Sequence, residues 1–170
     1  MSKVTLRQLE FENVSFIYPN TEKVIIDNVS MKIESGKSIA LVGKNGSGKS
    51  TIIKLICRFY KPTAGRILLN GVDIQEYDYL EYQKMLAVVF QDFRLFSFEL
   101  GENVAGGNFV DDIKVRKCLN NAGFLERLEN MEKGLHTFLN KDFNSNGIDL
   151  SGGEAQKVAL ARALYKETPL

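Results

Sequence analysis

The chain carries almost no net charge: 22 Lys and Arg against 21 Asp and Glu leave +1 at pH 7. That balance gives no electrostatic case for nucleic acid, which calls for a basic face. No apolar run approaches the roughly 18 residues that crossing a bilayer requires. The start, Met1-Ser2-Lys3, lacks the apolar core of a signal peptide. Cysteine is scarce: Cys57 and Cys118 are far apart, form no metal or redox motif, and read as buried, reduced thiols. The single histidine, His136, reads as a surface residue. There is no internal repeat and no low-complexity segment. What remains is a chain of 170 residues, long enough for one domain with a real core, with ordinary apolar and charged fractions.

The most informative stretch is Gly43-Lys44-Asn45-Gly46-Ser47-Gly48-Lys49-Ser50-Thr51. It follows the apolar run Ile39 to Val42 and precedes a helical pattern from Thr51 to Tyr60, the strand–loop–helix setting of a phosphate-binding loop. Glycines let backbone N–H groups turn inward and approach a phosphate closely. The helix adds its positive end, worth roughly 0.3–1 kcal/mol to an exposed anion. Lys49 is placed to reach β- and γ-phosphates and Ser50 to offer its hydroxyl to magnesium. The bland alternative is a glycine-rich turn; the spacing, the Lys-Ser pair and the flanks all count against it.

Around this loop, Leu9 to Phe16 alternates apolar and polar residues and predicts a half-buried antiparallel strand, and Val24 to Ile33 predicts another. Ile39 to Val42 and Leu86 to Phe90 lack alternation, as expected of strands covered on both faces. The helix after the loop is expected to run to Lys61-Pro62. Asn70-Gly71 predicts a type I′ turn in a hairpin from Ile67 to Ile74. Asp92 to Asn108 reads as loop; Asp111 to Asn121 and Phe124 to Met131 read as amphipathic helices; Lys141 to Gly147 reads as loop. A last helix opens at Leu150-Ser151-Gly152-Gly153-Glu154 and runs to about Lys166. The Ser-x-x-Glu spacing fits a capping box, whereas the paired glycines suit close approach to an anion.

With both motifs present, the chain resembles the nucleotide-binding domain of ABC transporters. The glycine loop matches that family's Walker A sequence. Leu150 to Glu154, continuing Ala155-Gln156-Lys157, matches its signature. Gln91 matches the Q-loop glutamine, and Tyr18 in Phe16-Ile17-Tyr18-Pro19 matches the aromatic residue that stacks on adenine. The spacing of Gln91-Asp92-Phe93-Arg94-Leu95-Phe96 followed by Glu102-Asn103-Val104, and the run Lys133 to Thr137, look like exporter-type members. In the loop Leu139 to Asn146 the family's usual glutamate is absent and Asp142 is the nearest substitute.

The resemblance implies an α/β fold: a P-loop NTPase core with a parallel sheet, an antiparallel β subdomain and a helical arm. Residues 1–92 would form the β layer and core, 93–150 the helical subdomain, and 151–170 the signature helix, within one ATP-binding domain. It implies ATP and Mg²⁺ as ligands. Tyr18 and residues 43–51 would bind nucleotide, with Thr51 at the α-phosphate, and Ser50 and Gln91 would hold the metal. Lys49, Gln91 and Ser151 would act in catalysis, and Leu150 to Glu154 would face the ATP of a second, head-to-tail cassette. It implies membrane domains as further partners, at the cytoplasmic face of a membrane, with Phe93, Phe96 and Phe98 as candidate contacts. The family's Walker B strand and switch histidine find no match before Leu170. The chain therefore reads as a cassette incomplete at its C-terminus, expected by itself not to hydrolyse ATP.

Two other classes compete. Chromosome-type members of the family place a very long coiled coil between the P-loop and the signature, and Gln91 and Leu150 are too close for that. Ribosome-associated members fit the exporter-like spacing and Tyr18 less well. A module that binds nucleotide without turnover is the other class. Lys49→Ala is expected to weaken ATP far more than adenosine, and Tyr18→Ala to weaken both alike, stacking being worth about 1–3 kcal/mol. Calorimetric titration of both ligands checks this; equal losses in the two variants would contradict it.

Overall fold

The computed structural model describes residues 6–142 and 144–170. Met1-Ser2-Lys3 and, in the loop after Leu139, Phe143 lie outside them. The chain divides into two compact units, one running up to Leu86 with Pro169–Leu170 added, the other Ala87–Thr168.

The first unit is built on a four-stranded antiparallel sheet in the order β2-β1-β3-β4. Its strands are β1 (Gln8–Ile17), β2 (Val24–Glu34), β3 (Ala64–Leu69) and β4 (Val72–Asp73). The alternation in β1 buries Leu9, Phe11, Val14 and Phe16. The step from Phe11 to Val14 is three residues because the register shifts there and Asn13 adopts a left-handed φ of 48°. Gly65 lies against this irregularity: a Cβ there would come within 2.3 Å of the Glu12 and Asn13 carbonyl oxygens. Between β3 and β4, Asn70 and Gly71 take φ of 54° and 84°, as a type I′ turn requires.

Helix α1 (Lys49–Ile56) stops short of the expected Lys61. Arg58 is left-handed (φ 58°), the Arg58 N–H donates to Leu55 O and the Phe59 N–H donates to Lys54 O. This is a Schellman ending with arginine where glycine is usual. The Arg58 guanidinium donates to the Tyr77 and Gln75 carbonyls and lies over the Tyr82 ring, contacts that hold the unfavourable φ. Helix α2 (Tyr79–Lys84) follows, capped by the Asp78 carboxylate, which accepts from the Glu81 N–H. From it, Tyr82 Oη donates to Ile56 O and Gln83 Nε2 to Cys57 O, satisfying carbonyls at the C-terminal end of α1. Burial pushes the Tyr82 phenol above its ordinary pKa.

The two runs read as parallel strands, Ile39 to Val42 and Leu86 to Phe90, take no strand assignment. Both are apolar enough, but a strand is defined by its place in a ladder, and among the described residues neither run belongs to the sheet. Val42 is accordingly 92% exposed. The fold shown is therefore mixed α/β with an antiparallel sheet.

The second unit is helical: α3 (Leu100–Ala105), α4 (Asp112–Asn121), α5 (Leu125–Glu129), a 3₁₀ turn (Gly134–His136) and α6 (Gly152–Tyr165). Leu100, Val104, Val115, Leu119, Phe124 and Val158 are among its fully enclosed side chains. Each such burial stabilises by about 1.5–3 kcal/mol. Helix α3 falls inside the stretch read as loop. It forms because the Glu102 carboxylate accepts from the Glu99 N–H and because its apolar residues enter the core. Asp111 caps α4 by accepting from the Lys114 N–H.

His136 is exposed, as its sequence setting suggested, and its Nδ1 lies 2.8 Å from a Glu99 carboxylate oxygen. The hydrogen bond and charge of Glu99 raise the imidazole pKa. A raised folded-state value means that the pair stabilises below the unfolded pKa of about 6.5 and loses that contribution as pH rises through the folded value. Proton NMR of this single imidazole should give a midpoint above about 6.5, returning toward it in Glu99→Gln. An unshifted midpoint in the parent chain would contradict the pairing.

Candidate functional site: the glycine loop and the signature helix

The glycine loop is exposed from Gly43 through Ser47 and closes onto α1 through Gly48. Gly46 and Gly48 have φ of 78° and 90°. Gly48 is also fixed by contact: a Cβ there would lie 2.7 Å from Ile26 Cδ1 and 3.0 Å from Ile25 O. Strand β2 thus braces the loop from below, and a side chain at residue 48 would be excluded twice over. The first turn of α1 contains no acidic residue, so nothing local offsets its positive end.

Lys49 does not extend into solvent. Its Nζ donates to Gly43 O at 2.7 Å and Lys44 O at 2.8 Å. An ammonium has three donors. Two are taken by the loop's own carbonyls, which fix the nitrogen and aim the third away from them.

Tyr18 meets α1. Its Oη lies 3.0 Å from Thr51 Oγ1, and Thr51 is buried. The Tyr18 ring stands edge to face with Phe16 (4.9 Å between centroids) and Tyr60 (5.1 Å), and Lys54 Nζ lies 5.8 Å from its centre. The structure therefore brings together Tyr18, residues 43–49 and Thr51. Ser50, in the first turn of α1, is exposed. Its hydroxyl is a hard oxygen donor, suited to a magnesium ion that keeps most of its water and phosphate ligands.

Gln91 and the signature belong to the second unit. Gln91 shares an open groove of about 840 Å³ with Phe93, Gly153, Gln156, Lys157 and Leu160. Gln91, Ser151, Gly152 and Gly153 are exposed. At the start of α6 the capping box is complete: the Ser151 N–H donates to Glu154 Oε2 (2.8 Å) and the Glu154 N–H to Ser151 Oγ (3.3 Å). The Ser151 hydrogen bonds, with the charge of Arg127 nearby, hold the Glu154 carboxyl below its usual pKa. Leu150 is half-buried. The cap thus engages both the Ser151 backbone and its side chain with Glu154.

Sequence reasoning missed Arg162. It lies on α6, half-buried, and donates to Asn103 O (2.7 Å), Asn103 Oδ1 (3.0 Å) and Arg94 O (3.1 Å). Asn103, itself buried, accepts from the Phe96 N–H and donates to the carbonyls of Phe96 and Glu99. The pair ties the segment after Gln91 to the signature helix. Burial lowers the Arg162 pKa from its ordinary value. The only sequence signal was an arginine set among the apolar positions of α6. Phe96 and Phe98 are exposed with ring centres 6.0 Å apart, and Phe93 is half-buried. Ser97 Oγ donates to the Asp142 carboxylate, joining the loop after Leu139 to the same segment.

This arrangement can be set beside known proteins. The family model described as ABC transporter matches residues 26–170. An ATP-dependent lipid A-core flippase of Paraburkholderia xenovorans is 40% identical over 165 residues, covering 95% of this chain and 27% of that protein. ABC transporter B family member 6 of Dictyostelium discoideum is 39% identical over 177 residues, covering 99% of this chain and 26% of that protein. A bacterial Atm1-family ABC exporter solved with ATP bound superimposes with a TM-score of 0.87 at 34% identity, over 99% of this chain and 29% of that one. The chain thus spans about a quarter of the length of the relatives it matches. On the family match and these likenesses together, the chain belongs to the ABC transporter family.

Proposed function

We propose that the chain is the ATP-binding domain of an exporter, coupling ATP binding and hydrolysis to movement of a substrate across a membrane. The observation that carries this reading is Lys49, held by the Gly43 and Lys44 carbonyls at the mouth of a glycine loop with Tyr18 and Thr51 beside it. In this reading the third Lys49 donor meets the β- and γ-phosphates. Loop amides and the start of α1 share the remaining negative charge, a preorganised electrostatic environment for phosphoryl transfer. Thr51 meets the α-phosphate, and Tyr18 stacks on adenine. Magnesium, held through Ser50 and Gln91 with the nucleotide's own oxygens, would neutralise developing phosphate charge. Ser151 and Gly153 would contact the γ-phosphate of ATP bound to a second cassette.

The finer architecture belongs to the same proposal. Ile39–Val42 and Leu86–Phe90 would join a parallel layer once neighbouring strands pair with them. The exposure of Ile39, Val42 and Val88 supports this, because such apolar surface favours cover. Among the described residues no helix is long and apolar enough to cross a membrane. Attachment at the cytoplasmic face would run through membrane domains, with Phe96 and Phe98 as contacts. The named relatives, a lipid A-core flippase and an Atm1-family exporter, support export over other tasks of the family.

The test uses the complete transporter. Mixed dimers pairing a Lys49→Ala subunit with a Ser151→Ala subunit put both defects at one shared site and leave the other intact. Pairing the double mutant with wild type damages each site once. ATPase activity should be clearly higher in the first mixture, and equal activity in the two would contradict the shared-site geometry.

A further inference from the structure

Tyr18 and Thr51 present two hydroxyls 3.0 Å apart, one on the ring expected to meet the base and the other on the helix expected to meet phosphate. Their chemistry is unequal. A phenol ionises near pH 10, far more readily than an aliphatic alcohol, so it is the better donor. Its oxygen shares a lone pair with the ring and is the poorer acceptor. The favoured direction is therefore Tyr18 Oη–H to Thr51 Oγ1. Thr51 then keeps its own hydrogen for another acceptor.

Geometry fixes the pair. Phe16 and Tyr60 clamp the Tyr18 ring edge to face, and Thr51 is 5% exposed in the first turn of α1, two residues after Lys49. A hydroxyl so enclosed is oriented by its partner and not by bulk water. In a site of low dielectric, a chain of hydroxyls ending on an anion is mutually polarised, each donor strengthening the next.

We propose that Tyr18 acts on the phosphate end of the nucleotide as well as on the base, donating its phenolic hydrogen to Thr51 and so aiming the Thr51 hydroxyl at the bound anion. This rests on the reading of residues 43–51 as the nucleotide site. It changes the division of labour drawn from the sequence, in which Tyr18 served the base alone. Tyr18 is a positioning residue in this role, because it reaches phosphate only through Thr51.

The decisive probe has no base. Binding of inorganic tripolyphosphate with magnesium is measured by calorimetry for the parent chain, Tyr18→Phe, Thr51→Val and the double variant, with adenosine as the base-only ligand. Tyr18→Phe should weaken tripolyphosphate roughly three- to tenfold, the range of one net hydrogen bond, while adenosine binding stays within about twofold because the ring remains. The double variant should bind no more weakly than Thr51→Val, since one link has been removed. Thr51→Ser, which keeps the hydroxyl, should bind like the parent and guards against a folding defect in Thr51→Val. Unchanged tripolyphosphate binding in Tyr18→Phe, or losses that multiply in the double variant, would overturn the inference. Lys49→Ala separates the two levels. If the parent binds tripolyphosphate and Lys49→Ala does not, the nucleotide site stands and only the Tyr18 role is at stake. If the parent fails to bind it, or Lys49→Ala binds equally, both fall.

Discussion

An ammonium group tied to its own loop is the constraint on which the proposed nucleotide site depends. Lys49 Nζ bridges Gly43 O and Lys44 O, closing the loop into a ring from its first glycine to the start of α1. The ring can form only because Gly46 and Gly48 take left-handed backbone angles and because Gly48 leaves room for Ile25 and Ile26 of β2. The antiparallel sheet thus supports the loop directly. The same helix that carries Lys49 is clasped at its far end by Tyr82 and Gln83, which satisfy the Ile56 and Cys57 carbonyls. A short helix of eight residues is marginal alone; held at both ends, it presents Lys49, Ser50 and Thr51 in fixed order.

The helical unit uses a comparable device with different chemistry. Asn103 and Arg162 satisfy carbonyls of the segment after Gln91 from within α3 and α6. Because both side chains are at least half-buried, removing either leaves desolvated polar groups without partners. In the proposed reading, Gln91 and Ser151 are the two contacts this unit offers to nucleotide. Gln91 shares a groove with Gly153 of the same helix start, and the Asn103–Arg162 link ties the two segments together within one unit.

Much of this was legible because the signals were local. Leu9 to Phe16 showed its period, Asn70-Gly71 its turn, and Ser151 with Glu154 its cap; each needs only neighbours in sequence. The bulge at Asn13 was hidden, since a one-residue shift leaves both halves of β1 alternating. The early end of α1 was hidden because Arg58 replaces the expected glycine and is held by residues nearly twenty positions away. Helix α3 was hidden under a polar, glycine-flanked composition and is revealed by its core contacts. The apolar character of Ile39 to Val42 and of Leu86 to Phe90 was plain, but pairing is a property of two strands and cannot be read from one. The binding motifs were legible as motifs, while the Lys49 ring, the Tyr18–Thr51 contact and Arg162 required coordinates.

The central claim is that residues 43–51 bind the phosphates of ATP through an already shaped loop. Amide hydrogen exchange of the chain, measured with and without ATP and magnesium, addresses it directly. The account predicts slower exchange at the amides of residues 46–51, with no such change for Lys49→Ala. Slowing confined to the helical unit, or unchanged exchange across the loop at saturating ATP, would contradict it.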